Sequence, residues 1–307
     1  MISIGLPIVK TKFLAKAIES ILNQSYKDFE LVILNNGKNC GEKKEIKNLI
    51  DKYTDNRIKY FENEKQLPIV QNWNKCLSYT QRKYFILFSD DDIYETEFLS
   101  EMINLSEKYP KVDLFHTRVY IIDEQNQITH ITPVCPEFEE GFDFIYSRIT
   151  GKRGQFAPDF MTNTSKLKKN GGFYYLPHAW GSDDITWFLL SKNGVAYSSK
   201  VLCKWRSSGI NESNSSNLLE RIEANQKYYD FMLELINDGD LFKNFEIISQ
   251  KQFYLANERR LENSHIDLIN RLRTHGRLKK IHYLIKLIFN KKIKNKTILK
   301  NIYKFFM

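Results

Sequence analysis

The chain has 307 residues and a mass of 36.4 kDa, with 42% apolar and 14% aromatic residues, enough to bury one large core or two small ones. A disulfide mini-protein and a disordered chain are thereby excluded. The formal charge of +9 raises nucleic acid or an anionic membrane as partner, yet residues 271–307 hold twelve Lys or Arg and no Asp or Glu, so the body carries −3 and the tail +12.

The chain opens with Met1-Ile2-Ser3-Ile4-Gly5-Leu6-Pro7, which lacks the basic start and long apolar run of a secretory signal and predicts a strand ending at a proline. Short β-rich runs at 2–6, 29–34, 57–61 and 84–88 alternate with segments of helical periodicity. In the first helix Phe13, Leu14, Ala17, Ile18, Ile21 and Leu22 recur at spacings of three and four, and residues 23–27 end it. A second apolar-periodic stretch, 69–77, precedes Tyr84-Phe85-Ile86-Leu87-Phe88, whose continuous apolar character predicts a central parallel strand covered on both faces. Such alternation predicts an α/β fold with a doubly wound sheet, in which ligands bind at the carboxyl ends of the strands. Beyond residue 93 the pattern is mixed: a helix near 96–109, a strand near 112–122, and irregular Gly- and Pro-containing segments over 133–160. Residues 207–217 form a polar stretch that marks a boundary, and helical patterning resumes at Leu218. Cys40, Cys76, Cys135 and Cys203 are far apart, without zinc-type spacing, and read as reduced cytoplasmic thiols. No window approaches the ~20 apolar residues that cross a bilayer.

Chemistry concentrates at two acidic positions. Asp90, Asp91 and Asp92 end the most apolar strand of the chain, and carboxylates pressed together at a strand end call for a cation, with Mg²⁺ or Mn²⁺ bridging a diphosphate as the natural candidate. The alternative is a solvated turn that caps the next helix. Asp183 and Asp184 open the apolar run Ile185-Thr186-Trp187-Phe188-Leu189-Leu190, where Ser182 or Asp183 caps a helix or one of the acids serves as a general base. Glycines and rings over 171–181 could stack on a sugar face or belong to the core.

These segments, taken in order over roughly residues 1–215, resemble the inverting glycosyltransferases of family 2, which have the GT-A fold. Residues 2–37 look like that family's opening, with the Gln24 to Glu30 turn leading into the second strand. Residues 72–77 and 84–94 resemble its third helix and its DXD strand, and residues 181–194 are similar to its acceptor-side acidic motif. The resemblance implies a Rossmann-like, doubly wound mixed sheet with a C-terminal helical basic tail. It divides the chain into a nucleotide-sugar-binding half (1–95), an acceptor-binding half (96–215) and a C-terminal helical region (216–307). By position it implies that Pro7 lines the nucleotide base, Asp91 holds the metal, and Asp90 and Asp92 flank the sugar and the metal. Asp184 matches the general base, and Asp183 supports it or contacts the acceptor. Asn35 and Asn36 stand where the family has an aspartate contacting base or ribose, and asparagine both donates and accepts. Ser89 occupies the position of the first DXD aspartate, so Asp90 takes over that role. Trp205-Arg206-Ser207-Ser208 resembles the family's Arg-x-His, which makes Arg206 a nucleotide-sugar ligand.

In the tail, Leu278, Ile281, Leu284, Ile285 and Ile288 recur at helical spacing, while Lys296, Lys300 and Lys304 form a basic stripe. A basic amphipathic helix of this kind lies on an anionic leaflet or packs on the body; without stacking aromatics on a strand motif, nucleic acid is not expected. The expected protein is a metal-dependent hexosyltransferase, cytoplasmic and peripheral on the inner face of the cell membrane. It passes a hexose from a UDP-sugar, such as UDP-glucose or UDP-galactose, to a glycan or polyprenyl-diphosphate-linked acceptor in surface polysaccharide or O-antigen synthesis. A sugar nucleotidyltransferase and a catalytically silent glycan-assembly module are the alternatives.

Overall fold

A computed structural model describes residues 1–208, 218–237 and 247–271, so the basic amphipathic tail expected after residue 271 lies outside the described residues. Two compact units emerge: Met1–Tyr175 with Ser182–Asn214, and Leu176–Gly181 with Ser215–Met307.

The first unit begins with the alternation that its sequence predicts: β1 (Ile2–Ile8), α1 (Leu14–Leu22), β2 (Phe29–Asn35), α2 (Cys40–Ile50), β3 (Ile58–Glu62), α3 (Ile69–Ser78) and β4 (Tyr84–Leu87). Every residue of β1, β2 and β4 is buried, as strands covered on both faces require. In α1, Leu14, Ala17, Ile18 and Ile21 bury one stripe against the sheet. Asn39 caps α2 by accepting from the N–H of Glu42 at 3.0 Å.

The chain continues through β5 (Ile93–Tyr94), α4 (Phe98–Lys108), β6 (Leu114–Ile122), β7 (Ile128–Ile131), β8 (Phe138–Glu139), α5 (Gly141–Ile149), β9 (Phe160–Asn163), α6 (Thr164–Lys169), α7 (Ser182–Leu190) and β10 (Val195–Arg206). Residues 133–160, predicted to be irregular, contain α5, because Phe142, Phe144, Ile145 and Ile149 form a buried stripe that outweighs the local Gly and Pro content. Gly141 starts that helix where a Cβ would collide with the carbonyl of Ser191.

The sheet order is β3-β2-β1-β4-β9-β6-β10-β5, with β7 on β6 and β8 on β10. Strands β3, β2, β1 and β4 are parallel; β9 runs antiparallel to both β4 and β6, and β10 is parallel to β6. Strand β4 has one parallel partner, β1, and one antiparallel partner, β9, in keeping with the mixed sheet that the resemblance implies. The directions of β1, β2, β4, β6 and β10 therefore agree, and their carboxyl ends share one edge of the sheet.

In the second unit α8 (Leu218–Asn237) packs with α9 (Ile247–Arg271), and the amide of Asn257 donates to the carbonyl of Tyr229 at 3.2 Å. The 176–181 segment rests on α8: Trp180 stacks under the Arg221 guanidinium at 4.3 Å, and His178 pairs with Glu220. Gly181 takes φ 82° against the Tyr228 ring, a position that admits no Cβ. His178 and Ala179 also adopt left-handed backbone, at φ 51° and 55°. Among the described residues no helix is long and apolar enough to cross a membrane.

Candidate active site at the carboxyl edge of the sheet

Strand direction decides which residues meet. The edge where β1, β2, β4, β6 and β10 end gathers residues 7–10, Asn35-Asn36, Asp90 to Asp92, Asp123 and Arg206. Since β9 runs the other way, its leading end brings Asp159 to the same edge. Helix α7 is followed by β10, whose start lies at the opposite edge, so the amino end of α7, with Asp183 and Asp184, faces the edge that carries the acids.

Of the three strand-end aspartates, each has a different environment. Asp90 is buried, and its Oδ2 accepts from the N–H groups of Val9 and Lys10, both at 2.9 Å, which ties the end of β4 to the segment leaving β1. Asp91 is half-buried; burial and then the Asp90 charge push its carboxyl up to about 7, against the pull of Lys10 and Arg206. Asp92 is fully buried, with Oδ1 accepting from the N–H of Arg206 at 2.8 Å, the Ser89 side chain nearby favouring its charge and, among the described residues, Oδ2 without a hydrogen-bond partner. Burial first, then the Asp91 charge, drives its carboxyl well above the ordinary range.

Several residues expected to touch the nucleotide are turned to internal work. Arg206, fully buried, donates from Nε to the carbonyl of Asp91 at 2.8 Å, from Nη1 to that of Asp123 at 2.7 Å and from Nη2 to Oδ1 of Asn126 at 2.8 Å, and it covers the Phe13 ring at 4.1 Å. It braces the acidic loop from behind. Asn35 donates to the carbonyl of Lys43 and to Tyr60 Oη at 2.9 and 2.8 Å and accepts from Gly37 N at 3.0 Å. Asn36 accepts from Asn63 Nδ2 and Leu67 N, both at 2.8 Å. Both amides are buried and hold the loops around them rather than standing open. Pro7 is buried within β1 opposite Leu34, and the open surface beside it is a cleft of about 360 Å³ between the segment leaving β1 and α2, lined by Val9, Lys10, Thr11, Glu42, Glu45 and Ile46.

At the start of α7, the two acids differ in environment. Asp184, 3% exposed, accepts from Arg148 Nε with both oxygens at 2.9 Å, and its Oδ1 also accepts from Gln155 Nε2 at 2.6 Å. Asp183 is half-buried, and burial followed by the Asp184 charge pushes its carboxyl up to about 7, while Arg148 lowers it. The 153–159 segment that delivers Gln155 is anchored by a buried network. Arg153 pairs with Glu139 at 2.5 Å and meets His116 Nε2 at 2.8 Å, and Asp159 Oδ1 accepts from Phe156 N at 2.7 Å. Because a guanidinium only donates, His116 Nε2 must accept and its proton lies on Nδ1, which faces Asp159 Oδ2 at 3.5 Å. Burial first, and then Arg153, lower His116 well below its ordinary range.

Asp159 links the two sides. Its carboxyl is raised well above normal, by burial first and in part by Asp183, while Asp92 and Asp159 together help to raise the Tyr94 phenol and the Cys203 thiol. Trp205 of β10 stacks on Phe156 at 4.3 Å, and Tyr94 Oη donates to the carbonyl of Pro158 at 2.5 Å. Arg148, Gln155, Arg153, His116 and Asp159 have no place in the sequence reading. The only trace is Arg153 and Gln155 alternating with Gly151 and Gly154 in a segment otherwise poor in apolar residues.

Comparison with known proteins adds the family. The model of Glycosyl transferase family 2 matches residues 3–171, more than half of the chain, and stops short of the α7 acids. An uncharacterized glycosyltransferase of Methanocaldococcus jannaschii, MJ1057, is 33% identical over 160 residues, 52% of this chain and 53% of its own length. The O-antigen biosynthesis glycosyltransferase WbnJ of Escherichia coli is 39% identical over 87 residues, 27% of this chain and 32% of its own. The chain thus spans about half, or less, of the curated relatives it matches. Among solved structures, S. aureus TarS 1–349 in complex with UDP-GlcNAc has a TM-score of 0.59 at 14% identity, covering 87% of this chain and 80% of that one. The mannosyltransferase PcManGT of Pyrobaculum calidifontis, in complex with GDP-Man and Mn²⁺, has a TM-score of 0.56 at 13% identity, covering 99% and 86%. At these identities the structures establish the shared GT-A fold.

Proposed function

We propose, from the premise that the chain belongs to glycosyl transferase family 2, that it moves a hexose from a UDP-sugar such as UDP-glucose or UDP-galactose to a hydroxyl of a glycan or polyprenyl-diphosphate-linked sugar. The reaction proceeds with inversion, in surface polysaccharide or O-antigen synthesis. The observation that carries this reading is the gathering of the strand-end acids Asp90 to Asp92 and the α7 pair Asp183-Asp184 at one edge of the sheet, with Asp91 and Asp183 the crowded members. The O-antigen relative and the UDP-sugar complex of a structural neighbour support the choice of donor and pathway class.

Among the described residues no group of three or more His, Cys, Asp or Glu is placed to hold a metal. A crowded, half-open Asp91 beside an Asp92 oxygen without a hydrogen-bond partner nevertheless fits a hard cation whose coordination is completed by the donor's phosphate oxygens. Asp91 would hold Mn²⁺ or Mg²⁺, with Asp92 behind it. Such an ion supplies positive charge for the departing diphosphate. Asp90 fixes the β1 exit that borders the cleft, Arg206 keeps the acidic loop in register, and the α7 pair takes the proton of the acceptor hydroxyl. A single displacement of this kind needs one base and one leaving group, and it inverts the anomeric carbon.

A panel of nucleotide hexoses with Mn²⁺ and a lipid-linked sugar acceptor tests the reading; transfer from one donor is expected, and no transfer from any would refute it. For the basic tail we propose contact with the cytoplasmic face of an anionic membrane. Removing residues 272–307 should release the protein from phosphatidylglycerol vesicles while transfer to a soluble acceptor persists.

A further inference from the structure

Resting on the transferase reading, we infer that Asp183 takes the proton of the acceptor hydroxyl and that Asp184, held by Arg148 and Gln155, is its positioning partner. The family resemblance gives the base to the second acid; the geometry assigns it to the first. Asp184 receives Arg148 Nε on both oxygens at 2.9 Å and Gln155 Nε2 on Oδ1 at 2.6 Å. Of the roughly four lone-pair positions of a carboxylate, three are engaged, two by the Arg148 Nε–H shared between the oxygens and one by Gln155. The residue is only 3% exposed, so the one remaining lone pair is closed off from an incoming hydroxyl.

Asp183 differs on both counts. The residue is less buried than Asp184, and among the described residues its carboxylate accepts only from backbone N–H groups, those of Asp184 and its own residue. The charged and titratable groups facing it are Asp184 on its own helix, Arg148 from α5 and Asp159 from the turn before β9. Burial and then the Asp184 charge oppose its ionisation and Arg148 favours it, which leaves a carboxyl near 7, suited to accepting a proton at neutral pH. Gln155 cannot readily swing away and free Asp184. Its segment is fixed on one side by Arg153 on Glu139 and His116, and on the other by Phe156 N on Asp159.

In the step itself the acceptor O–H bond breaks and its proton passes to an Oδ of Asp183. The acceptor oxygen bonds to the anomeric carbon, and the bond from that carbon to the diphosphate oxygen breaks. The nucleoside diphosphate leaves with the electron pair, and Asp183 then returns the proton to solvent.

The test uses the full chain with Mn²⁺, a UDP-hexose panel and a lipid-linked sugar acceptor, over pH 5.5–9. Asp183→Asn should lower kcat by about 10³-fold, with UDP affinity by calorimetry within twofold of the parent. Asp184→Asn should lose less, about tenfold to 100-fold. It should also move the acid limb of the rate profile below 7, because the charge that raises Asp183 is gone; a merely structural change would leave the limb in place. An Asp184→Asn variant without transfer, beside an Asp183→Asn variant that keeps more than a tenth of the parental rate, overturns the assignment and spares the transferase reading. A parent chain that binds UDP and transfers from no donor overturns both. If Asp184→Asn does not fold, as judged by circular dichroism, Asp183→Asn alone decides at the same tenth-of-parent threshold.

Discussion

Two acid pairs face the same edge of the sheet, and each consists of one pinned carboxylate beside one pushed up to about 7. On the donor side Asp90 is pinned by the backbone N–H groups of Val9 and Lys10, and Asp91 is the crowded member. On the acceptor side the pins are side chains, Arg148 and Gln155 on Asp184, and Asp183 is the crowded member. Backbone pins follow from strand register, since β1 and β4 pair from Ile2 with Tyr84 to Gly5 with Leu87 and so bring residues 9 and 10 to Asp90. Side-chain pins depend on residue identity at two positions far from the helix they serve. The pinning of Asp90 should therefore survive side-chain changes around it, whereas that of Asp184 should fail when Arg148 or Gln155 is changed.

The largest effect is expected at Asp91. Asp91→Ala should reduce transfer by about 10³-fold or more and weaken UDP-sugar binding measured calorimetrically in Mn²⁺, because the half-open carboxylate of that pair is lost. Next comes Arg206→Ala, which removes a buried guanidinium from two carbonyls and an amide and leaves Asp92 more isolated; urea denaturation should show a loss of about 3 kcal/mol or more. A smaller effect separates the pairs by pH. Asp183 has a folded-state affinity for its proton raised from 3.8 to about 7, so its ionisation opposes folding, and that penalty grows as pH rises between those values and is complete above 7. Asp183→Asn should accordingly stabilise the chain by on the order of 1 kcal/mol at pH 8 and by nothing at pH 3.5, although it abolishes transfer. For the parent chain, transfer should rise about tenfold per pH unit below 7 and level off above it. The smallest expected change is at Gln155: Gln155→Ala should lower kcat by about tenfold with donor KM unchanged, a loss with no counterpart among the backbone pins of Asp90.

The same contrast explains what could be read from the sequence. Three of the four strands of the β-α-β alternation are legible because β1, β2 and β4 are wholly buried and write themselves as apolar-rich runs. The acidic triplet is legible because it follows the apolar run 84–88 with only Ser89 between them. Helix α5 was hidden by its glycine start and by Pro and Gly nearby, although Phe142, Ile145 and Ile149 carry a helical stripe. The inward turn of Asn35, Asn36 and Arg206 was hidden for another reason. An amide or a guanidinium has the same composition whether it binds a ligand or a carbonyl 80 residues away, and only the fold decides. Arg148 and Gln155 belong to that class, since their partner lies about 30 residues downstream on a separate helix.

The most direct test of the transferase account is the configuration of its first product. The chain is incubated with Mn²⁺, an α-linked UDP-hexose and a lipid-linked sugar acceptor, and the new linkage is read by the anomeric proton coupling in NMR. A single displacement with one base at α7 yields a β-linked hexose. An α-linked product, or no product from any nucleotide hexose, would contradict it.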